Sequence, residues 1–261
     1  MTRQMDILFL GTGAADWDWS LPLKAGVRGS TCTILDGHIM LDAGPTVPYR
    51  MEQENIDPAS ITDIVITHSH SDHFNVGSIA YIANAPGRKE KLRLFGSKEI
   101  FEGTTDLPID GKCLEYGVDL QIADYKFLPL PGNHDLGSFE KKAYHYLIEK
   151  PNGELLLYAL DGGWLAGSIR EVLKERHLDL IVWDATSGTS RYNWRFGCHN
   201  DLYMIQYMCK GFGQLKIITE STRHVFNHIA RTLWPATPEE RLAAAKEAGG
   251  LLAEDGMSIK F

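Results

Sequence analysis

The sequence predicts an α/β fold that carries a chemical site at the ends of its strands. Short runs of β-branched and other apolar residues alternate with segments of helical spacing, as residues 61–66 do with residues 74–83. Histidines and aspartates follow directly after several of the short runs. Because open α/β sheets place their sites at the carboxyl ends of strands, these two observations together indicate a functional edge.

The composition is that of a globular protein with a sizeable core. The chain has 261 residues, of which 44% are hydrophobic and 23% charged, and we predict a single domain over residues 1–261. No apolar stretch approaches the ~20 residues of a membrane span, and residues 1–6 lack the pattern of a cleavable signal. We therefore expect a cytoplasmic protein with no membrane partner.

The charge balance and the cysteines bear on partners and on redox state. The formal net charge of −8 argues against nucleic acid as a partner, because counterion release from a phosphate backbone needs a basic surface. The same charge permits a small anionic substrate held by a few local cations. The four cysteines form no Cys-x-x-Cys pair, so we expect reduced thiols rather than disulfides or a zinc ribbon.

The first half of the chain is predicted to be mostly strands. Asp36-Gly37 is a strong hairpin turn between two short strands, and residues 104–117 show no clear period, which predicts a loop. The predicted elements are a strand at 7–10, hairpin strands within 32–42, a buried strand at 61–66, a helix at 74–83 and a strand at 92–95.

A glycine-rich turn, Gly11-Thr12-Gly13, follows the first strand. A dinucleotide-binding fingerprint needs a third glycine and a helix after it, whereas residues 16–22 have the composition of a loop. We therefore exclude a Rossmann site. The glycines are expected to let the backbone approach another segment closely.

The second half alternates strands and helices. Thr237 as N-cap and Pro238 at the first helical position mark the start of the final helix. The predicted elements are strands within 120–130, a hairpin of 144–148 and 155–160, a helix at 169–176, a buried strand at 178–183, a helix at 201–209, a last core strand at 215–219, the final helix and a closing strand at 257–261.

Four metal-capable side chains fall within six residues after the strand at 61–66. Alternate side chains of an extended segment share a face, so His68 and His70 can reach one ion, whereas Asp72 and His73 point toward a second. Imidazole and carboxylate ligands suit zinc, manganese or iron better than calcium or magnesium. A solvated histidine-rich loop is the structural alternative, which the position at the end of a buried strand disfavours.

Further candidates follow other strands. Asp42 ends the first hairpin, His134 follows a strand and a glycine turn, and Asp161 ends the second hairpin. Asp42 has two roles open to it, either to orient a ligand histidine or to cap a turn or helix.

In this order and context, the Thr-His-x-His-x-Asp-His element at 67–73 resembles the metallo-β-lactamase superfamily. Further matching motifs are Gly11-Thr12-Gly13, Leu41-Asp42-Ala43-Gly44, Asn133-His134 and Asp161, so that the resemblance covers essentially the whole chain. It implies a four-layer αββα sandwich, the metallo-β-lactamase fold, with a two-metal site on one edge. By the same resemblance, one ion is held by His68, His70 and His134 and the second by Asp72 and His73, with Asp161 bridging the two.

The last ligand is where the sequence departs from this pattern. A histidine usually follows the last core strand directly in the family, and by that count Glu220 occupies the place. His224, four residues later, reaches back if the chain loops out, so we predict His224 with Glu220 as the rival. His228 is expected on a helical surface.

A narrower resemblance concerns the phosphoribosyl cyclic phosphodiesterases of the carbon–phosphorus lyase pathway. It rests on residues 129–134, 198–202 and 255–259. These enzymes lead one to expect a cysteine-rich insert with a structural zinc after Gly13, where this chain has residues 14–19 without cysteine. We therefore expect that zinc site to be absent.

The implied function is a metal-dependent hydrolase, specifically a phosphodiesterase that acts on a small phosphate ester. Cyclic phosphate esters are among the candidate substrates. Two divalent ions share a water and present it as hydroxide to the phosphate. The candidate metals are zinc and manganese, with iron as a further candidate. His199 is the candidate general acid or phosphate donor, near Arg191 and Arg195 in sequence, and Asp72 is a candidate catalytic residue as well as a ligand. A homodimer is compatible with the sequence.

Three alternatives stay open. A tRNA 3′-processing endonuclease would want a basic arm or a long glycine- and proline-rich excursion for tRNA, and neither the charge of −8 nor any segment supplies one. A lactone or thioester hydrolase would share the metals without needing His199. A non-catalytic scaffold is disfavoured because a site without function has no need of so many costly polar ligands.

Overall fold

The structure is a computed structural model that describes residues 5–261, so most of the N-terminal segment considered above lies outside it. Two compact units make up the described chain, and each contains one seven-stranded sheet. The first unit comprises residues 5–114, 139–141 and 254–261, and the second comprises residues 115–138 and 142–253. A single domain over residues 1–261 stays a prediction.

Strands and helices alternate along much of the chain. The strands are β1 Asp6–Gly11, β2 Cys32–Leu35, β3 Ile39–Leu41, β4 Asp63–Val65, β5 Leu92–Gly96, β6 Ile109–Cys113, β7 Leu120–Ile122, β8 Tyr125–Pro131, β9 Tyr144–Glu149, β10 Leu155–Ala159, β11 Leu180–Asp184, β12 Arg223–Asn227, β13 Leu251–Leu252 and β14 Met257–Lys260. The α-helices are α1 Val47–Gln53, α2 Val76–Ala83, α3 Gly167–Leu173, α4 Leu202–Gln214 and α5 Pro238–Glu247. Short 3₁₀ turns lie at Pro58–Ser60, Lys98–Ile100 and Trp194–Gly197.

The sheet of the first unit has the strand order β14-β1-β2-β3-β4-β5-β6. Strands β14, β1, β2 and β3 pair antiparallel, whereas β3 to β6 run parallel. The predicted hairpin is confirmed. The φ values of 49° at Asp36 and 73° at Gly37 are those of a β-turn with positive φ at both central positions. Because β3 and β4 are parallel, their carboxyl ends lie at the same edge of the sheet.

The sheet of the second unit has the order β13-β12-β11-β10-β9-β8-β7. Strands β10 to β13 are parallel, and β7 to β10 pair antiparallel. Strand β8 is antiparallel to β9, which is antiparallel to β10, so β8 runs in the same direction as β10. The carboxyl ends of β8, β10, β11 and β12 therefore lie at one edge.

Each unit has its own apolar core. In the first, α1 and α2 contribute Met51 and Ile79 to a cluster that includes Ile64 of β4. In the second, α3, α4 and α5 pack on their sheet, with Ile205 of α4 and Ile181 of β11 buried together. Burying an aliphatic side chain of this size contributes about 1.5–3 kcal/mol. The strand ends that carry polar side chains are thus fixed by packed elements.

The predicted last core strand at 215–219 is corrected by the structure. Ile217 and Ile218 are buried in the core, but they lie in a turn after α4, where Lys216 has a φ of 59°. The last core strand is β12, which pairs with β11 and β13. Apolar residues that are buried in a loop have the same composition as those buried in a strand, which explains the error.

The predicted loop at 104–117 contains an edge strand, β6, which pairs parallel with β5. Most side chains of β6 are exposed, and backbone hydrogen bonds to β5 define the strand, so its sequence shows no hydrophobic period. The expectation for the first glycine turn is confirmed, because a Cβ at Gly11 would collide with the carbonyl oxygen of Ser30. No helix within residues 5–261 is long and apolar enough to cross a membrane.

Candidate metal centre

One cluster of metal-capable side chains lies at the edge where β3 and β4 end. His68 and His73 are buried, as is Asp72, and His70 is half-buried. The His68 ring centroid lies 4.7 Å from that of His70 and 4.3 Å from that of His73. The structure therefore brings together the four residues that the sequence placed in one loop.

Asp42 organises this loop from the end of β3. Its Oδ1 accepts hydrogen bonds from the Thr67 backbone N–H at 2.7 Å and from the Thr67 hydroxyl at 2.9 Å. Its Oδ2 lies 2.8 Å from Nδ1 of His73. Of the two roles left open by the sequence, Asp42 therefore has the first, because it orients a candidate ligand histidine.

The hydrogen bonds around Asp42 also set the imidazole tautomers. His73 donates its Nδ1–H to the carboxylate, so its Nε2 carries a lone pair. That Nε2 lies 3.6 Å from Oδ2 of Asp72. The Thr67 hydroxyl hydrogen is used on Asp42, so its oxygen accepts from Nδ1 of His68 at 3.0 Å, which makes Nε2 the unprotonated nitrogen there too.

A second cluster lies at the edge where β8, β10, β11 and β12 end. Asp161 is buried and adopts a positive φ of 29°. Its Oδ2 lies 3.5 Å from Nε2 of His134, and its Oδ1 lies 2.9 Å from Nδ1 of His228. The two carboxylate oxygens of Asp161 thus face different imidazoles, and the bridging role implied by the family resemblance stays a prediction.

His134, a candidate ligand, is held in its neutral form. Its Nδ1 donates to the carbonyl oxygen of Cys198 at 3.1 Å, which leaves Nε2 unprotonated toward Asp161. Burial lowers the pKa of His134, against the opposing effect of the Asp161 carboxylate, so the imidazole is neutral at pH 7.

Each cluster therefore contains a carboxylate oxygen and an imidazole lone pair that converge at about the same separation. Two acceptors in this position repel one another unless a cation or a proton lies near both. Oxygen and imidazole nitrogen are donors that zinc, manganese and iron accept. The residues present thus fit a divalent transition-metal ion.

The seventh candidate ligand is corrected from His224 to His228. His224 lies within β12, where its Nδ1 accepts a hydrogen bond from the Trp183 indole N–H at 3.1 Å, while the rival Glu220 is exposed. His228 directly follows β12 and is buried rather than on a helical surface. The misplaced strand at 215–219 shifted the count by which the sequence assigned this ligand.

His199 joins the second cluster through Asp184, which ends β11. Nδ1 of His199 lies 2.8 Å from Oδ2 of Asp184 and 3.9 Å from Oδ1 of Asp161. Burial alone would lower the pKa of His199, but these two carboxylates outweigh it and raise the value. For Asp184 burial acts in the raising direction, and the neighbouring His199 overcomes it, so that the pKa falls.

Sequence reasoning missed several supporting residues. Asp184 directly follows the strand predicted at 178–183, and its carboxylate accepts hydrogen bonds from the backbone N–H groups of Gly162 and Thr186. Asn200 donates to the Gly162 carbonyl oxygen at 2.7 Å and thereby holds the turn that carries Asp161. The available signal was the position of Asp184 at the end of a buried strand parallel to the one before Asp161.

Residues 25–138 match the Metallo-beta-lactamase superfamily. The matched segment is less than half of the chain. Ribonuclease Z of Methanothermobacter thermautotrophicus is 28% identical over 163 residues, and that of Methanosarcina mazei is 31% identical over 124 residues. These alignments span 56% and 45% of this chain but only 52% and 39% of the relatives. The chain thus covers about half or less of the length of these curated relatives.

Solved structures match over nearly the whole chain. The metallo-beta-lactamase fold protein YhfI from Bacillus subtilis has a TM-score of 0.78 at 14% identity and covers 99% of this chain and 100% of its own. A diphosphatase from the PhnP family has a TM-score of 0.74 at 19% identity, covering 100% and 98%. Human tRNase Z, short form, has a TM-score of 0.70 at 18% identity, covering 97% and 98%.

At these identities the structural similarity establishes the fold alone. The chain has the metallo-beta-lactamase fold, with two mixed sheets and helices, which confirms the predicted fold class. In sequence, residues 25–138 are similar to the Metallo-beta-lactamase superfamily.

The relatives correct one expectation drawn from charge. The net charge of −8 was taken to argue against nucleic acid as a partner, yet the curated relatives are ribonucleases by name and a matching structure is a tRNase. That argument was wrong because net charge describes the whole chain, whereas a nucleic acid meets only a local surface.

Proposed function

We propose that this chain is a metal-dependent phosphodiesterase. The observation that carries the proposal is the pair of converging acceptors in each cluster, Asp72 with His73 and His134 with Asp161, at 3.6 and 3.5 Å. Side chains in this arrangement are costly to bury without a cation. Fold alone would not support an activity, whereas this donor set does.

The proposed ligands are the members of the two clusters, with the seventh position corrected. They are His68, His70, Asp72, His73, His134, Asp161 and His228. Bound divalent ions would supply Lewis acidity toward a phosphoryl oxygen and a nucleophilic water. Zinc, manganese and iron all suit the ligands.

His199 is the proposed general acid or phosphate donor. Its Nδ1 is held by the carboxylate of Asp184, so the ring is fixed and Nε2 is the atom that can give a proton to a leaving oxygen or bind a phosphate oxygen. Asp184 stabilises the protonated ring, which matches the raised pKa of His199.

Two classes of phosphate ester are candidate substrates. The relatives named Ribonuclease Z favour an RNA phosphodiester. The earlier resemblance to cyclic phosphodiesterases favours a small ester, and the PhnP-family neighbour shares the fold. A lactone or thioester hydrolase is the alternative activity, and these two substrates test it.

The test is a turnover screen of the purified protein loaded with zinc or manganese. Its substrates are bis(p-nitrophenyl) phosphate, a cyclic nucleotide, an unstructured oligoribonucleotide, a precursor tRNA, a lactone and a thioester. We expect turnover of phosphodiesters that is lost with a chelator and restored by metal. Preference for the lactone or thioester would contradict the proposal, and inactivity on every substrate would favour a binding scaffold.

A further inference from the structure

An exposed aromatic surface lies beside the second cluster. Its residues are Trp164, Tyr192, Trp194, Phe196, Tyr203 and Tyr207, with Arg191 and Arg195 among them. Tyr192 is 95% exposed, Trp194 75% and Phe196 59%. Several large exposed aromatic side chains close together in the chain are uncommon on a globular protein, and large exposed apolar patches mark interaction sites.

Ring contacts join several members of the aromatic surface in pairs. Tyr203 and Tyr207 are four residues apart on α4 and so share a face. The Trp164 and Tyr207 rings meet edge to face at 5.9 Å, and the Arg191 guanidinium lies 4.9 Å from the centre of the Tyr203 ring. Arg195 likewise lies 4.9 Å from the centre of the Trp194 ring.

The charge of this segment is opposite to that of the whole chain. Residues 187–200 contain two arginines and no acidic residue. Within residues 5–261, no carboxylate lies within 4.0 Å of either guanidinium of this segment. Stacking on an aromatic face orients a guanidinium while its N–H groups stay available to a phosphate.

The aromatic surface is fixed to the residues that are proposed to do chemistry. Arg195 accepts through its carbonyl oxygen from the backbone N–H of His199 at 2.8 Å. The backbone N–H of Trp164 donates a hydrogen bond to Oδ1 of Asn200 at 2.9 Å, and Trp164 lies three residues after Asp161. The surface therefore begins where the second cluster ends.

We infer that the aromatic surface binds single-stranded RNA by stacking on its bases, with Arg191 and Arg195 contacting the phosphates. This inference rests on the proposed phosphodiesterase function and names its substrate class. Aromatic rings and arginines in alternation are the groups that hold unstacked bases and their backbone. A duplex hides its base faces, so the segment bound here is unpaired.

A second copy of this chain is the competing occupant. If this surface met the same surface of a second copy, the guanidinium groups of both copies would be buried together, and residues 187–200 supply no carboxylate to pair with them. Ribose phosphate brings its own negative charge, which makes RNA the complementary partner.

The experiment measures binding rather than turnover. Fluorescence anisotropy with a labelled, unstructured 12-nucleotide RNA is carried out in a chelator, which prevents hydrolysis. The comparison ligands are an abasic ribose-phosphate oligomer of the same length and a blunt RNA duplex. We expect the base-containing single strand to bind about tenfold or more tightly than either, because each base stack accounts for roughly 5- to 150-fold in affinity.

Variants then locate the binding. Trp194→Ala and Tyr192→Ala should each weaken RNA binding by about tenfold and leave the abasic oligomer unaffected, whereas Trp194→Phe retains most of the affinity. Phe139→Ala is the matched control, since Phe139 is an exposed aromatic residue of the first unit and should change nothing. Circular dichroism checks that every variant is folded.

Several results would overturn the inference. They are equal affinity for the abasic oligomer, unchanged RNA binding by both alanine variants, or a dimer in sedimentation that Trp194→Ala dissociates, which would make the surface an interface between copies. Binding of bases without hydrolysis of any diester would refute the proposed function and leave this inference standing. Hydrolysis of diesters without preference for bases would do the reverse.

Discussion

At the scale of single residues, the two clusters share one arrangement. An oxygen acceptor takes the Nδ1–H hydrogen bond of an imidazole, which leaves the Nε2 lone pair for a metal ion. Asp42 is this acceptor for His73, and the carbonyl oxygen of Cys198 is this acceptor for His134. Metal-binding histidines in proteins have this second hydrogen bond almost always. Substitution of a supporting acceptor should therefore change metal affinity, as substitution of a ligand does.

Asp42→Asn is expected to lower metal affinity about 10- to 100-fold. The asparagine loses one of the two acceptor oxygens that serve Thr67 and His73, so the ring orientation is no longer fixed. Competition with a chromophoric chelator measures the change. Asp124→Asn, at an exposed position, should leave the affinity as it is, and an equal effect of the two variants would mean that Asp42 has no special role.

His228→Ala and His224→Ala separate the two candidates for the last ligand. His228 contacts Asp161, whereas His224 contacts Trp183. We expect His228→Ala to lose about one equivalent of metal by elemental analysis after dialysis, and His224→Ala to keep the content of the unchanged protein. The opposite result would restore the assignment made from sequence.

His199→Ala is expected to lower turnover of a phosphodiester by about 10²–10⁴. The reason is the loss of the group that gives a proton to the leaving oxygen or holds the phosphate. Steady-state kinetics and metal analysis are measured on the same preparation. An unchanged turnover rate with a full metal content would remove His199 from the mechanism.

At the scale of elements, the parallel strands position the site residues at their carboxyl ends. Side-chain contacts also join neighbouring strands. Trp183 of β11 donates its indole N–H to His224 of the neighbouring β12. Burial lowers the pKa of His224, so the folded protein resists protonation of this ring. A proton on Nδ1 would also remove the acceptor for Trp183.

This contact predicts a stability difference with pH. The stabilisation from neutral His224 is complete above the unfolded pKa of about 6.5 and is lost as the pH falls through the lower pKa of the folded state. Urea unfolding in chelator at pH 7.5 and pH 5 should show a larger loss for the unchanged protein than for His224→Asn, which keeps an acceptor but does not titrate. Equal losses would contradict this account.

At the scale of the whole molecule, each unit combines one sheet, its own core and one cluster of metal-capable residues. A ligand that binds only the folded state stabilises it by about 2.7 kcal/mol at 100 times its dissociation constant. For a chain of this size, each kcal/mol raises the unfolding temperature by about 2–4 °C.

Metal binding is therefore expected to raise the unfolding temperature by about 5–10 °C when zinc or manganese is present at 100 times its dissociation constant. Calorimetry with metal and with chelator measures this difference. Asp161→Asn should reduce the shift, because Asp161 faces two imidazoles, whereas His224→Ala should retain it. No shift with either zinc or manganese would argue against a metal centre.

Prediction from sequence succeeded where the signal is local. The hairpin at Asp36-Gly37, the N-cap of α5 at Thr237, and the loop that carries His68 to His73 are each encoded within a few residues. It failed at 215–219, because apolar residues are buried in a loop there, and at β6, where only backbone pairing defines the strand.

The sequence by itself determined the fold class and the first cluster, because a strand followed by closely spaced ligands is a short-range pattern. Only the tertiary structure decided that His228 rather than His224 meets Asp161, and that Asp184 holds His199. These contacts join residues 67 and 15 positions apart along the chain. They depend on the parallel order of β10, β11 and β12, which hydrogen bonds between distant segments set.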